Sequence, residues 1–241
     1  MWKAKIITIY PDMFPGILGH SIIGKALKRY IWSLDIINLN DFGYDDRNSV
    51  DDSPFGGGPG MVIRPDVVEK AVMNVTDNLE VKMPLVYMTP SGKSLKQYDL
   101  VNFSKEKGII ILCGRFEGVD SRVIDSFGFE QISIGDFVLT GGEVAAQVLV
   151  EGCVRLLPGV LGHSESILEE SFSENLLEYP QYTRPQVWVD QYGKEHHVPD
   201  ILVSGHHEKI KEWRKHKSSE VTKKFRPDLL KRIKKAKKYN D

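Results

Sequence analysis

A strand with one wet face alternates apolar and polar side chains. The run Gly108–Gly114, GIIILCG, does not alternate. A short, nearly all-apolar segment between glycines reads as a strand covered on both faces, which is the habit of parallel sheets between helix layers. The surrounding chain supports this. Short β-rich runs at Ile6–Tyr10, Leu34–Leu39, Leu85–Thr89, Ile109–Cys113 and Gln131–Ile134 alternate with helix-period segments at Ile17–Trp32, Asp66–Val75, Leu95–Lys105, Val119–Phe127 and Glu143–Leu156. Strand, helix, strand repeated in this way predicts an α/β fold with a mainly parallel sheet.

Near Leu157 the pattern changes. LPGVLGHSESILEESFSENLLEYPQYTRPQ has three prolines, scattered acids and no sustained period, and reads as a long linker. QVWVDQYGKEHHVPDILVSG follows as a short hairpin-like excursion, then HHEKIKEWRKHK and DLLKRIKKAKKY as basic amphipathic helices. The expected division is 1–160 for the α/β domain, 161–185 for the linker and 186–241 for a small, mostly helical domain. Net charge is −1, but from Gly205 to Asp241 it is +9 and the remainder is −10. An acidic body with a basic tail points to a polyanionic partner touched mainly by the C-terminus. Apolar residues make up 41% of the chain, enough for a core, yet no apolar run reaches the length of a membrane span. The N-terminus has no signal-peptide pattern, so a cytoplasmic protein is expected. Cys113 and Cys153, both in apolar surroundings, read as buried free thiols.

Three predicted strands end in turns suited to close backbone approach: Pro90-Ser91-Gly92, Gly114-Arg115-Phe116-Glu117-Gly118, and SIGDFVLTGGE from Ser133 to Glu143. Open α/β sheets bind ligands at such strand ends. Neither a Walker A loop nor a G-x-G-x-x-G fingerprint occurs. Phe137, Val138 and Leu139, between Gly135 and Gly141-Gly142, suit a flat, neutral heterocycle such as adenine, with apolar contact on its faces and backbone hydrogen bonds at its edge. The same residues could instead cap the core beneath a helix start, with Thr140 and Glu143 as a capping box. A second glycine cluster, Gly56 to Gly60, reads as a loop or as a backbone wall against a ligand. Asp51 and Asp52 beside it lack a third ligand at a metal-binding spacing. The pairs His196-His197 and His206-His207 lack the further ligands a zinc site needs, and His206 and His207 read as surface or RNA-facing residues.

Six motifs in register carry a resemblance: PFGGGPGM, GRFEGVDSRV, SIGDFVLTGGE, LPGVLG, PQYTRP and SGHHEKIKEWR. Together they closely resemble bacterial tRNA (guanine-N(1)-)-methyltransferases of the SPOUT class, from about Ile6 to Lys217. The resemblance implies an N-terminal domain with a deep trefoil knot, an obligate homodimer with sites at the interface, and methylation of guanosine 37 of tRNA from S-adenosylmethionine. It implies a cofactor cradle of Thr89, Pro90, Gly114 through Glu117, Ser133, Ile134, Gly135, Asp136, Phe137, Val138, Leu139, Gly141 and Gly142. It assigns the general base to Glu170, where the family has Asp, with Glu169 as rival. It also assigns to Arg155 the stabilisation of charge on the guanine O6. His206, Lys211, Arg214 and Lys215 are the expected RNA contacts. A divalent ion, usually magnesium, is expected, with no ligand set evident. Ser53-Pro54-Phe55 replaces the usual Arg-Pro-Tyr, and Asn48 the usual Arg. Two other readings are an adenine-nucleotide enzyme acting on a small molecule, which lacks phosphate motifs here, and a non-enzymatic RNA-binding module, which leaves the glycine turns unexplained.

Overall fold

The computed structural model describes residues 1–77, 81–162, 171–172 and 175–230. It divides into two compact units after Gly162.

Unit 1 is a three-layer α/β structure around a five-stranded sheet. The strands are β1 (Trp2–Thr8), β2 (Trp32–Asn38), β5 (Leu85–Ser94), β6 (Gly108–Cys113) and β7 (Glu130–Ser133). Their order is β2-β1-β6-β5-β7, and every adjacent pair is parallel. The sequence expectation of a strand covered on both faces holds for β6, whose residues Ile109 to Cys113 have no exposed surface. Ile109, Ile111 and Cys113 enter a core with Ala4, Ile6, Val86 and Leu149. Ile110 and Leu112 enter the opposite core with Ile7, Val68, Val72 and Ile124. Each such aliphatic side chain contributes about 1.5–3 kcal/mol over exposure, so a polar residue anywhere in this strand would be costly.

The helices close the two faces. α1 (Ser21–Lys28), α3 (Gln97–Lys105) and α5 (Glu143–Val154) line the first core, and α2 (Pro65–Thr76) and α4 (Ser121–Phe127) the second. Their starts follow ordinary rules. Pro65 opens α2, where its missing N–H costs nothing. Asp120 caps α4 by accepting from the Arg122 N–H, and Gly128, left-handed at φ 66°, ends it.

Two expectations change. The predicted helix Ile17–Trp32 is a 3-10 turn at Gly16–Gly19, then α1, then β2 from Trp32. Between the two turns His20 is extended and Ser21 takes φ 51°, so the helical path breaks there, and a β-carbon on Gly24 would collide with the Gly19 carbonyl. Trp32 is fully buried, and its Nε1–H donates to the Ile23 carbonyl at 3.1 Å. The strand before Pro90 also continues past it. Met88 and Lys93 both pair with Ile132 of β7, so Thr89–Gly92 form an excursion from within β5.

A two-stranded ribbon, β3 (Asp51–Asp52) with β4 (Val62–Ile63), closes the glycine cluster as its loop. Gly56, Gly57, Gly58 and Gly60 all have positive φ, which is why side-chain residues are excluded there. Unit 2 contains the expected hairpin as β8 (Val187–Val189) and β9 (Glu195–His197), then α6 (Asp200–Val203) and α7 (His207–Phe225). Within the same unit, the Leu177 N–H donates to Thr222 Oγ1 of α7 at 2.8 Å, and Tyr179 and Tyr182 pack against Trp213. Among the described residues no helix is long and apolar enough to cross a membrane.

Candidate active site

The excursion within β5 and the carboxyl ends of β6 and β7 open into one cavity of about 260 Å³. That is just below the range of drug-sized sites, so it suits a ligand held compactly. Its wall contains every residue expected of the cradle except Asp136. Thr89 and Pro90 come from the β5 excursion, Gly114 and Glu117 from the turn after β6, and Ser133 through Leu139 with Gly141 and Gly142 from the turn after β7. Phe137, Val138 and Leu139 are 53%, 81% and 40% exposed, an unusual concentration of open apolar surface on so short a turn.

The glycines of these turns also serve the packing of the protein. Their missing β-carbons make room for the protein itself. A β-carbon on Gly114 would meet the Tyr87 ring, one on Gly142 would lie 3.0 Å from Cys113 Cα, and one on Gly141 would collide with the Arg115 side chain. Gly92 presses against the β7 backbone at Gln131 and Ile132 in the same way. The turns therefore pack on one another, and the Gly142 N–H donates to the Gly114 carbonyl at 2.9 Å. The apolar trio is left to face the cavity.

The capping box also fails. Gly142 is the N-cap of α5 and has no side chain to accept from the N–H groups of the first turn. Glu143 is instead fully buried, accepting from Thr8 Oγ1–H at 2.8 Å and standing 2.9 Å from Arg115 Nε. A buried cation nearby outweighs a capping hydrogen bond for a buried carboxylate. Thr8 and Tyr87 escaped the sequence reading, and Glu143 entered it only as a cap. A signal for Tyr87 existed, since a tyrosine inside the aliphatic run LVYM must find its hydroxyl a partner. Burial raises its phenol above the ordinary value, while hydrogen bonds to the Val119 backbone and Thr89 oppose the rise.

A model of one protein family, described as tRNA (Guanine-1)-methyltransferase TrmD, matches residues 2–232. The chain belongs to this family. Among its relatives, a protein of Rhodospirillum rubrum is 50% identical over 227 residues, 94% of this chain and 92% of that one. A protein of a Ruegeria strain is 49% identical over 229 residues, covering 95% and 92%. One of Pelagibacter ubique is 46% identical over 235 residues, covering 98% and 100%. Each is named tRNA (guanine-N(1)-)-methyltransferase.

Of the other residues expected from the TrmD family, Arg155 belongs to unit 1, and His206, Lys211, Arg214 and Lys215 belong to unit 2. Arg155 is the C-cap of α5 and lines a separate depression of unit 1 with Ile17, Ile22, Val148 and Glu151. Twelve helical residues separate it from Gly142, about 20 Å along the axis. Glu169 and Glu170 lie outside the described residues. His206 is the N-cap of α7, which carries Lys211, Arg214 and Lys215. His206, Lys211 and Lys215 are exposed, whereas Arg214 is half-buried, its guanidinium 4.9 Å from the centre of the Tyr179 ring. His196 sits 2.9 Å from Asp190 and stacks on Trp188. Among the described residues no three of His, Cys, Asp and Glu converge as a metal ion would require. Asp52 faces Arg64 at 3.3 Å instead.

Proposed function

We propose that the chain methylates N1 of guanosine 37, beside the anticodon of tRNA, using S-adenosylmethionine. The activity itself, N1 methylation of guanosine in tRNA, follows from family membership over residues 2–232. The observation that carries the cofactor assignment is the exposed Phe137-Val138-Leu139 turn beside the Thr89–Pro90 and Gly114–Glu117 backbones in one cavity. These residues fit the donor: apolar faces for a heterocycle, backbone groups for its edge, and no cluster of cations of the kind a polyphosphate needs.

When bound, S-adenosylmethionine supplies an electrophilic methyl group on a sulfonium sulfur. The protein must then position the nucleophile and remove one proton, because guanine N1 is protonated and weak at neutral pH. Glu170 is assigned the proton. Arg155 is assigned the negative charge that develops on O6 as the proton leaves. Arg155 is remote from the cavity within its own protomer, which supports a homodimer in which it serves the partner's site. Exposed Ile17, Ile22, Val144 and Val148 on unit 1 supply an apolar surface for such pairing. The contact of the Gly142 turn with Gly114 supports the trefoil knot, which needs turns this tightly crossed. His206, Lys211 and Lys215 on the open side of α7 suit phosphates. A cytoplasmic setting suits a tRNA substrate. The described residues do not assemble a magnesium site, and no step is assigned to that ion.

The test is to incubate the protein and S-adenosylmethionine with two transcripts of one tRNA, carrying guanosine or adenosine at position 37, and map modified nucleotides by mass spectrometry. N1-methylguanosine at position 37 of the first transcript alone is expected. Modification elsewhere, or none, overturns the reading.

A further inference from the structure

We infer that Glu143, held by Thr8 and Arg115, is a positioning residue for the methyl-donor cavity. It fixes the turn after β6 relative to the turn after β7. The inference rests on the cofactor assignment above.

The arrangement is built from three chain segments. Thr8 ends β1, is fully buried, accepts from the Tyr10 N–H at 3.0 Å and donates to Glu143 Oε1 at 2.8 Å. Its hydroxyl has one proton, so this pattern fixes its direction. Glu143 Oε2 lies 2.9 Å from Arg115 Nε, close enough for charge attraction, yet the two are not aligned as a hydrogen bond and both atoms are buried without another partner. Arg115 belongs to the turn after β6. From there its Nη1 donates to the Thr140 carbonyl at 3.3 Å, and its guanidinium lies 4.4 Å from the centre of the Tyr10 ring. It also crosses the space above Gly141. One guanidinium thus ties the Gly114 turn to the Thr140–Gly142 turn, and one carboxylate anchors it to β1.

Stability alone is a poor account of such a pair. A buried ion pair often contributes no more than apolar residues of similar size. What the pair does supply is a fixed spacing between two walls of the cavity, and imperfect alignment leaves it free to tighten when the cavity fills.

The experiment separates these roles through donor affinity, not only activity. S-adenosylmethionine binding is measured by calorimetry for wild type, Glu143→Gln, Thr8→Val, and the double variant Arg115→Met with Glu143→Met. Thermal unfolding and tRNA affinity are measured alongside. Positioning predicts at least tenfold weaker donor binding in Glu143→Gln and in the double variant, about threefold in Thr8→Val, and tRNA affinity within twofold of wild type. The double variant should regain melting temperature relative to Glu143→Gln without regaining donor affinity. Donor affinity that recovers together with melting temperature overturns the inference, as does wild-type affinity in all variants. Should Glu143→Gln or the double variant not fold, Thr8→Val decides by the same measure. A wild-type protein that binds no donor would instead sink the cofactor assignment itself.

Discussion

The Tyr87 hydroxyl stands 2.9 Å from the place a β-carbon on Gly114 would take, and 3.1 Å from the one on Gly118. The phenol of β5 is thus wedged between two glycines of the neighbouring turn, and that turn forms a wall of the cavity. Gly114→Ala should overpack the site, costing about 1–3 kcal/mol of stability by urea unfolding and weakening S-adenosylmethionine binding. Adding Tyr87→Phe removes the closest atom and should restore part of both losses. No recovery in the double variant would mean that the hydroxyl is not what the glycine accommodates.

Glu170→Gln keeps the size of the side chain and removes its basicity. Turnover should fall by roughly 10²–10⁴-fold, the usual contribution of a positioned general base. Donor affinity by calorimetry should stay near wild type. The matching Glu169→Gln variant should retain most activity; a reversed pattern would transfer the role to Glu169.

Lys211 and Lys215 lie one turn apart on the exposed side of α7. Replacing both with alanine should weaken tRNA binding and reduce the slope of log affinity against log salt by about 0.7–0.9 for each lost phosphate contact. Arg214→Ala should behave differently. Because it packs on Tyr179, it should lower the melting temperature as well as affinity. An unchanged salt slope in the lysine variant would remove α7 from the RNA surface.

Both thiols are buried and free. Burial pushes the Cys153 thiol up to about 12 and the Cys113 thiol well above its usual value. At pH 8 both stay protonated in the folded protein and should not react with a disulfide reagent, whereas two should titrate in denaturant. The sign for stability follows. An unfolded cysteine ionises near pH ~8.5, so the unfolded state sheds protons first and folding weakens as pH climbs from there toward 12. Prompt reaction of either thiol in the native protein would contradict the burial.

The sheet was legible because burial on both faces writes itself into composition: GIIILCG has no polar position to misread. The helix from Ile17 was misread because periodicity counts Trp32 as one more apolar residue. It cannot see that a tryptophan fully enclosed in a core can end a turn as easily as continue a helix. Glu143 was hidden for a related reason. A glutamate three residues after a threonine looks like a cap until an arginine 28 positions earlier folds back beside it, and no local pattern reports so distant a neighbour. The cradle residues emerged mainly through family resemblance. Their glycines were visible from the start, but what they make room for is a matter of three turns meeting in space.

The β5 excursion separates two jobs along one strand. Because Met88 and Lys93 share Ile132 as partner, the pairing after the detour resumes where it stopped. A rim built this way is interchangeable: residues could be inserted or deleted between those anchor points, reshaping the mouth of the cavity, while every pairing in the platform beneath keeps its place.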